Sequence, residues 1–366
     1  MRIYLDNIVF QLQRAGGISV YWSEMTTRLL KSEHETFCIE QAGEAARANI
    51  SRRMLDITDN HIMRERNLPI RILRYVPVQA RLRASSVFHS SYYRTCGQKG
   101  VLNIVTVHDF IYEQFRRGLA KHAHSLQKQY AVKNADGIIC VSENTRKDLL
   151  MYYPETRHKN IRVIYNGAGN AFMPLDRFSL NGHRLREIVR KKYLLYIGGR
   201  SSHKNFSLAM VAAANIPDVQ LVIVGGNDLS DAERQALSRR LNGRYEYIPA
   251  VDDQDLNVLY NYAYCLLYPS LYEGFGIPLV EAMRAGCPVV TSNTSSLPEI
   301  VGDAGLLADP QDDAQFIARI KSLENRSFRQ DIIEKGYRQA RRFSWDKTYQ
   351  ETVEFYQHIY KERLHR

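Results

Sequence analysis

Short apolar segments alternate with helical segments along almost the whole chain, and this alternation is the strongest constraint on its fold. In the first half, the predicted strands cover residues 3–9, 36–40, 87–90, 104–107, 138–141 and 162–167. In the second half, they cover residues 193–197, 220–224, 245–249, 265–268, 288–291 and 305–308. Strands that are joined through helices run parallel, with helices on both faces of the sheet. The predicted fold class is therefore α/β, with doubly wound, Rossmann-like parallel sheets.

A chain of 366 residues exceeds what a single hydrophobic core usually supports. The two sets of strands are separated by a connection, residues 168–192, that contains Gly, Asn and Pro and one basic helical piece. We place the boundary inside this connection and predict a first domain over residues 1–170 and a second over residues 171–344. Ligands are expected at the carboxyl ends of the strands, as in other open parallel sheets.

The segment after the predicted strand 265–268 has the features of an anion-binding loop. Gly274 and Gly276 allow the backbone to come close to a ligand. Pro278 then marks the start of a helix, because a first helical residue tolerates the loss of its N–H group. The unpaired N–H groups and the dipole at a helix start favour an anion, so we expect a phosphate-bearing ligand here.

Two acids flank this helix start. Glu273 lies in the loop, and Glu281 lies in the predicted first turn of the helix. Carboxylates beside an anion-binding helix end suit a ligand that carries both phosphates and hydroxyls, such as a nucleotide sugar. The alternative is that Glu281 only complements the helix dipole and that Glu273 is a solvated loop acid.

This segment resembles the signature of glycosyltransferase family 4. The resemblance rests on Glu273 and Glu281 within Ser-Leu-Tyr-Glu-Gly-Phe-Gly-Ile-Pro-Leu-Val-Glu-Ala-Met, and on the following Gly-Cys-Pro-Val-Val-Thr-Ser-Asn and Leu-Pro-Glu. It implies a GT-B fold, in which two Rossmann-like domains face a central cleft and the last helix, residues 345–366, packs back on the first domain. It also implies that Glu281 holds the ribose hydroxyls, and that Glu273 contacts the transferred sugar and helps stabilise positive charge at its anomeric carbon.

Two cations follow the first strand of the second domain, in Gly-Gly-Arg-Ser-Ser-His-Lys-Asn. Arg200 suits bidentate contacts with phosphate oxygens and Lys204 supplies a point charge. Cations near a helix start are unfavourable unless an anion is bound there, and Ser201 or Ser202 is predicted to cap that helix. The pair resembles the donor-phosphate pair of the family, although surface cations near a helix start would look alike. In this interpretation, the leaving diphosphate is held by both cations and by the backbone amides of Gly274, Phe275, Gly276 and Ile277.

Glycines follow two further strands. Gly16 and Gly17 open the first long helix and resemble the Gly-Gly loop of the family, although a simple tight turn would also require them. Gly225 ends a strand of the second domain, where similar glycines of the family line the nucleotide site. The fuller Gly-x-Gly-x-x-Gly pattern is absent, so no nicotinamide cofactor is indicated.

His108 and Asp109 directly follow the predicted strand 104–107. A single His is more often a hydrogen-bonded structural residue than a catalytic one. Its position at the carboxyl end of a parallel strand and the resemblance to the His-Asp pair of the family favour a catalytic role for both residues. In the family, the His contacts the donor sugar, so we expect His108 to orient the substrate.

Charge is distributed unevenly along the chain. Residues 1–168 contain 25 Lys and Arg and 15 Asp and Glu, which gives about +10 of the net charge of +11. Within residues 45–85 there are nine arginines: Arg47, Arg52, Arg53, Arg64, Arg66, Arg71, Arg74, Arg81 and Arg83. No nucleic-acid-binding motif accompanies them, so nucleic acid is not an expected partner. A surface facing an anionic membrane and a partly core-facing amphipathic helical region explain this stretch equally well.

The remaining composition is that of a cytosolic protein. The five cysteines are scattered and form no Cys-x-x-Cys pair, which indicates reduced thiols and neither disulfides nor zinc. No apolar run approaches the ~20 residues that span a bilayer, and the N-terminus has no secretory signal pattern. The expected location is the cytoplasm, with peripheral association at the inner face of the plasma membrane.

These observations lead to one predicted function and two rivals. The predicted function is a retaining, metal-independent glycosyltransferase that moves a hexose from GDP-mannose or a UDP-sugar to a saccharide acceptor. No metal ion is expected, and no cofactor other than the nucleotide sugar is expected. The motifs resemble those of bacterial mannosyltransferases of O-antigen and capsule assembly, which implies an acceptor linked to lipid pyrophosphate. The rivals are a GT-B sugar-nucleotide epimerase and a non-catalytic protein that binds nucleotide sugars.

Overall fold

The chain folds into two compact units in a computed structural model that describes residues 1–42, 48–175 and 184–364. The first unit consists of Met1–Gly167 together with Trp345–Arg366, and the second of Ala168–Ser344. In the part of the chain that the structure describes, no helix is both long and apolar enough to span a membrane. All five cysteines are buried and free.

The first unit is an α/β sandwich built on seven parallel strands. Its strands are β1 Arg2–Asp6, β2 Glu35–Glu40, β3 Ile62–Arg64, β4 Ser86–Ser90, β5 Val101–Val107, β6 Gly137–Cys140 and β7 Asn160–Val163. Its helices are α1 Val9–Leu12, α2 Gly17–Leu30, α3 Ile50–Met54, α4 Ile70–Leu73, α5 Ile111–Phe115, α6 Leu119–Asn134 and α7 Glu143–Tyr152, and it also contains the C-terminal helix. The strand order β3-β2-β1-β4-β5-β6-β7 reverses direction between β1 and β4.

The first unit differs from the sequence prediction at the ends of two strands and in one additional strand. The strand predicted over residues 3–9 ends at Asp6, because the chain turns at Asn7, whose side chain bonds Trp22 and Glu40, and α1 begins at Val9. The last strand ends at Val163, since its partner β6 ends at Cys140. The edge strand β3 was not predicted, because its three residues, Ile-Met-Arg, give too short a pattern.

The Arg-rich stretch forms short separate elements and no single amphipathic helix. In the described residues it comprises α3, a 3-10 turn Asp59–His61, β3 and α4, while Arg47 lies outside the described residues. Arg52 is buried in an ion pair with Glu40, with 2.7 Å between Nε and Oε1, so at least one of these arginines stabilises the interior. Met54 is 79% exposed and Ile72 is 52% exposed, so apolar surface also remains among the charges.

The second unit repeats the same architecture with six parallel strands. Its strands are β8 Tyr193–Ile197, β9 Gln220–Val224, β10 Tyr245–Ile248, β11 Cys265–Tyr268, β12 Val289–Ser292 and β13 Gly305–Ala308. Its helices are α8 Arg186–Val189, α9 Phe206–Ala214, α10 Asp231–Leu241, α11 Asp253–Tyr262, α12 Ile277–Ala285, α13 Leu297–Val301, α14 Asp313–Ser322 and α15 Arg326–Ala340. The strand order β10-β9-β8-β11-β12-β13 reverses between β8 and β11, which is the point where open α/β sheets bind ligands.

The predicted serine cap after β8 was wrong. Residues Ser202–Lys204 form a 3-10 turn, and α9 begins only at Phe206, after Asn205 in a left-handed conformation. Neither start has a side-chain cap, and the Ser201 hydroxyl instead lies 3.2 Å from Nδ1 of His203. The extra turn keeps Lys204 in the loop and ahead of the helix.

The last helix, α16 Trp345–Leu364, packs on the first unit. Phe355 and Tyr356 are buried, the Tyr356 hydroxyl bonds Nδ1 of His89, and Thr348 donates to the Tyr165 carbonyl at 2.7 Å. A Cβ atom at Gly137 of β6 would lie 2.9 Å from the Phe355 ring. The absence of a side chain at Gly137 therefore allows the helix to approach the sheet this closely.

The close contact at Gly137 gives a first prediction. Gly137→Ala adds a methyl group that also meets Ile104 at 3.0 Å, so it should lower the free energy of unfolding by about 1–3 kcal/mol. Gly97→Ala is the matched control, because nothing lies within 4 Å of the added methyl group. Urea unfolding of the full chain checks both variants. Equal unfolding midpoints for the two would show that α16 does not depend on this contact.

Candidate active site

The second unit brings two predicted site residues together where its strand order reverses. Strands β8 and β11 are hydrogen-bonded neighbours, so the loops that follow them lie side by side. The loop after β8 carries Lys204 and the loop after β11 carries Glu273. The Lys204 ammonium lies 2.6 Å from Oε1 of Glu273 and 3.1 Å from the hydroxyl of Tyr268, the last residue of β11.

The charges of this pair stabilise each other. Burial alone would raise the pKa of the Glu273 carboxyl, but the charge and hydrogen bond of Lys204, a hydrogen bond from Ser270 and the charge of His203 together lower it. Burial would lower the pKa of Lys204, but Glu273 and Tyr268 outweigh this effect and raise it. Both groups are therefore ionised at neutral pH. Lys204 has three N–H donors and bonds two groups among the described residues, which leaves one donor for a ligand.

Side chains from the next loop hold the Glu273 loop in place. The Glu273 N–H donates to the Ser295 hydroxyl at 3.0 Å, and the Ser296 hydroxyl donates to the carbonyls of Glu273 and Phe275 at 3.0 and 3.2 Å. The Thr294 hydroxyl donates to the Leu271 carbonyl at 3.0 Å. Sequence reasoning missed these serines, because nothing in their spacing indicates which loop they contact. Tyr268 was also missed, although its place at the end of a strand could have pointed to it.

The glycine-rich loop leads directly into α12, as predicted. Gly276 is the residue before the helix and has φ of +97°, a conformation that other residues rarely adopt. Ile277 is the first helical residue, and Gly274 and Phe275 lie in the loop just before it. The prediction that Glu281 lies in the first turn was wrong: it is the fifth residue of the helix, because α12 begins at Ile277.

Glu281 differs from Glu273 in having no cationic partner among the described residues. Its Oε2 accepts a hydrogen bond from the Tyr260 hydroxyl at 2.9 Å. Burial raises the pKa of Glu281 to about 7; the Tyr260 hydrogen bond lowers it and the charge of Asp253 adds to the rise. At neutral pH, this carboxyl group is therefore poised between its protonated form and its ionised form.

Arg200 bonds to its own unit. Its Nε lies 2.8 Å from Oε1 of Glu233, and its terminal nitrogens donate to the carbonyls of Gly225, Asn227 and Asp228. Only 5% of the side chain is exposed. Arg200 thus holds the loop that follows β9, and a phosphate contact by the same guanidinium would have to use its remaining N–H or replace some of these bonds.

Four predicted site residues belong to the first unit. Gly17 is the first residue of α2 and Gly16 precedes it, with the Gly16 carbonyl accepting a hydrogen bond from Ser19 at 2.9 Å. His108 and Asp109 follow β5, and Oδ1 of Asp109 accepts the N–H of Ile111 at 3.0 Å. Nε2 of His108 is buried and has no hydrogen-bond partner among the described residues, so it is free to bond a ligand.

Burial, together with the nearby charge of Lys128, sets the charge state of His108. Burial and the charge of Lys128 lower the pKa of His108 to about 3, so the imidazole is neutral. Lys128 is fully buried, bonds Glu113 at 2.8 Å and donates to the Asp109 carbonyl at 2.8 Å. Sequence reasoning did not identify Lys128, because it lies on α6 among surface cations of the same type. A neutral His108 can donate or accept a hydrogen bond but is a weak acid–base catalyst at neutral pH.

The described residues offer no site for a metal ion, since no group of three His, Cys, Asp or Glu side chains among them has the required geometry.

Two sequence profiles of known families match the chain, one on each unit. The profile described as "Glycosyltransferase Family 4" matches residues 15–168, and "Glycosyl transferases group 1" matches residues 183–339. The chain belongs to glycosyltransferase family 4. The second match includes Lys204, Glu273 and Glu281, so the ion pair that follows β8 and β11 lies within the matched residues.

Relatives of this family 4 chain include O-antigen mannosyltransferases. O-antigen chain mannosyltransferase B of Escherichia coli is 40% identical over 236 residues, which cover 62% of this chain and 61% of that protein. O-antigen chain mannosyltransferase RfbU of Salmonella typhimurium is 26% identical over 232 residues, which cover 60% of each chain. Serotype-specific mannosyltransferase WbdA of Escherichia coli is 28% identical over 238 residues, 61% of this chain and 29% of that protein. The match thus spans about 60% of the first and second of these relatives and less than a third of the last.

Solved structures share the fold of this family 4 chain. Sucrose-phosphate synthase from Thermosynechococcus elongatus has a TM-score of 0.78 at 20% identity, covering 99% of this chain and 100% of that one. Anabaena HepE in complex with UDP-glucose has a TM-score of 0.71 at 16% identity, covering 97% and 98%. The predicted GT-B class of two Rossmann-like parallel-sheet units is therefore confirmed.

The raised pKa of Glu281 gives a prediction about stability. The native state holds this proton up to about pH 7, whereas an unfolded glutamic acid loses it near pH 4.5, so the wild type loses stability as the pH rises between these values. Glu281→Gln removes this loss and should make the protein more stable at pH 8, by on the order of 2 kcal/mol, and change little at pH 4.5. Thermal unfolding across this pH range measures the difference. If the Glu281→Gln variant were no more stable than the wild type at pH 8, the prediction would be wrong. The control variant is Glu324→Gln, because Glu324 is exposed.

Proposed function

We propose that this chain is a retaining glycosyltransferase that moves a hexose from a nucleotide diphosphate sugar to a saccharide acceptor without a metal ion or other cofactor. The observation that carries the proposal is the ion pair of half-buried Lys204 with buried Glu273, held at the point where the strand order of the second unit reverses. A cation with a spare donor and an ionised carboxylate stand side by side there, next to the start of α12.

The pair suits the two charges that develop in glycosyl transfer. The bond between the anomeric carbon and the diphosphate oxygen breaks, a bond to the acceptor oxygen forms, and the nucleoside diphosphate leaves together with the proton of the acceptor hydroxyl. Negative charge on the diphosphate is stabilised by Lys204 and by the amides and dipole at the start of α12, Gly274 to Ile277. Positive charge at the anomeric carbon is stabilised by the carboxylate of Glu273, because an oxocarbenium-like state attracts a nearby negative charge.

The other predicted residues bind and position substrate in this proposal. Glu281 accepts hydrogen bonds from ribose hydroxyls, which its carboxylate form does best. Arg200, bonded to the Gly225 carbonyl, shapes the loop beside the nucleotide and is a positioning residue. In the first unit, neutral His108 hydrogen-bonds the transferred sugar through Nε2, while Asp109 and the Gly16-Gly17 turn complete its surroundings.

The relatives suggest the donor, the acceptor and the place of action. The names of the O-antigen mannosyltransferases favour GDP-mannose, whereas the HepE complex with UDP-glucose favours a UDP-sugar. We propose an acceptor linked to lipid pyrophosphate, used by a protein of the cytoplasm at the inner face of the plasma membrane. The charge of about +10 on residues 1–168 supports this, because it would be attracted to anionic lipid.

The function is tested with a panel of GDP-, UDP-, ADP- and TDP-sugars. One donor should raise the unfolding temperature, and transfer from it to a saccharide acceptor should follow. Glu273→Gln should lower the transfer rate about 100-fold or more while the donor still stabilises the protein, whereas the exposed Glu324→Gln should not change the rate. Unchanged transfer by Glu273→Gln would refute the role of this carboxylate.

The same incubations separate the rival functions. A sugar-nucleotide epimerase would convert the donor in the absence of any acceptor. A non-catalytic binding protein would be stabilised by a donor and would give no product with any acceptor tested.

Membrane attachment has its own test. The protein should float with vesicles that contain phosphatidylglycerol and should not float with neutral phosphatidylcholine vesicles, and salt should weaken the attachment. Equal recovery with both vesicle types would contradict an electrostatic membrane surface.

A further inference from the structure

A pocket of about 350 Å³ lies in the first unit, between the segments that follow α4 and β4 and one face of α6. Side chains that can recognise a polar ligand line it: Arg74, Tyr75, Tyr93, Thr95, Gln127 and Tyr130. None of the residues predicted from the sequence to form the active site lines this pocket.

Arg74 brings a positive charge into the pocket without a counter-charge. Its guanidinium carbon lies 5.0 Å from the ring centroids of both Tyr75 and Tyr92, so two aromatic faces enclose it. It hydrogen-bonds the Tyr92 side chain, but its Nε is buried without a partner and no carboxylate of the described residues pairs with it. Arg74 is half-buried, so its charge stays accessible from the pocket, and an anion there can form a charge-assisted hydrogen bond with it.

Arg94, the second arginine of the pocket, differs from Arg74 because carboxylates of the same unit neutralise its charge. Arg94 forms ion pairs with Asp6 at 2.9 Å and with Glu65 at 2.8 Å, and its Nε donates to the Val76 carbonyl at 3.1 Å. Its side chain is fully buried, and its charge is therefore already balanced. The contrast with Arg94 identifies Arg74 as the residue of the pocket that can hold a ligand anion.

Gln127 supplies an unused acceptor beside Arg74. Its Nε2 donates to the carbonyls of Arg74 and Tyr92, which fixes the orientation of the amide. Its Oε1 is buried and has no hydrogen-bond donor among the described residues. A ligand hydroxyl would satisfy this oxygen, and burying it unsatisfied carries a free-energy cost.

The rim of the pocket is aromatic and exposed. Tyr75 is 48% exposed, Tyr130 is 57% exposed and Leu126 is 64% exposed. Exposed tyrosine faces beside a hydrogen-bonding side chain suit the apolar face of a pyranose ring, because they combine a flat apolar surface with a polar edge. A ligand with an anion, hydroxyls and a sugar ring would therefore use the charge, the amide oxygen and the rim together.

The pocket also adjoins the predicted catalytic residues of its own unit. Tyr93 lines the pocket, and its ring centroid lies 5.5 Å from the ammonium of Lys128. The same ammonium donates to the carbonyl of Asp109 at 2.8 Å. One buried lysine thus separates the pocket from the His108-Asp109 segment.

We propose that this pocket binds a phosphorylated saccharide, with Arg74 on the phosphate and the amide oxygen of Gln127 on a sugar hydroxyl. That the bound saccharide serves as acceptor rests on the proposed glycosyltransferase function, whereas the binding itself does not. The required chemistry is a phosphate next to a polyhydroxylated group, which a sugar phosphate and the headgroup of phosphatidylglycerol both possess. We assign the pocket to the sugar phosphate because the tyrosine rim fits a ring.

Isothermal titration with mannose 1-phosphate tests the proposal on the full chain. Arg74→Gln should weaken binding about tenfold or more, which corresponds to the loss of a charge-assisted hydrogen bond. Arg71→Gln is the matched control: it removes the same charge from an exposed residue three positions earlier, and it should leave the affinity within twofold. An equal loss in both variants would overturn the proposal, since it would show a diffuse effect of charge. The unfolding temperature of each variant verifies that it is folded.

Two further arms exclude other binding sites and ligands. Lys204→Met, which lacks the cation of the proposed donor site, should still bind mannose 1-phosphate; loss of binding there, with retention in Arg74→Gln, would overturn the pocket. Methyl α-mannoside, which has no phosphate, should bind the wild type and Arg74→Gln equally weakly.

If Arg74→Gln lost attachment to phosphatidylglycerol vesicles but kept its affinity for mannose 1-phosphate, the ligand would be a lipid headgroup and the proposal would be wrong. Failure of the glycosyltransferase function would appear separately, as absence of transfer from every donor.

Discussion

The ion pair of half-buried Lys204 with buried Glu273 is the interaction on which the second unit's site depends. Removing one partner of such a pair typically costs about 3–5 kcal/mol, because the other charge stays buried and unpaired. The two residues are 69 positions apart and meet only because β8 and β11 are neighbours in the sheet. Their loops must then hold their positions, which explains why Ser295 and Ser296 bond the backbone around Glu273. The fold thus fixes an ionised carboxylate beside a cation where the strand order reverses.

The two glutamates of the signature have opposite environments. Glu273 faces a lysine, which outweighs burial and lowers its pKa, whereas Glu281 faces the hydroxyl of Tyr260, and burial raises its pKa to about 7. One carboxylate is permanently charged, as stabilisation of a cationic sugar requires. In the proposed function, the other carboxylate, Glu281, would gain hydrogen bonds from ligand hydroxyls. This difference follows from their partners and is consistent with separate roles for the two acids.

The first unit uses the same strand order with a different distribution of charge. Buried cations there are mostly balanced, as Arg52 is by Glu40 and Arg94 is by Asp6 and Glu65, and Lys128 is balanced by Glu113. These internal pairs stabilise the unit. Arg74 has no such partner among the described residues, and His108 has an unused ring nitrogen. His108 follows β5, at the edge where a parallel sheet binds ligands, and Arg74 lines the pocket of this unit.

The amino-acid sequence alone determined the architecture, and it indicated the candidate site residues. The alternation of strands and helices specifies parallel sheets, and the loop with Gly276 and Pro278 specifies a helix start, because both signals are local properties of the backbone. Only the tertiary structure decided which side chains meet: Tyr268 with Lys204, Tyr260 with Glu281, and Arg200 with Glu233. It also decided the three-residue strand β3, the place of Glu281 in the second turn and the neutral state of His108. Such features depend on contacts between residues distant in sequence and on burial, and neither leaves a periodic trace along the chain.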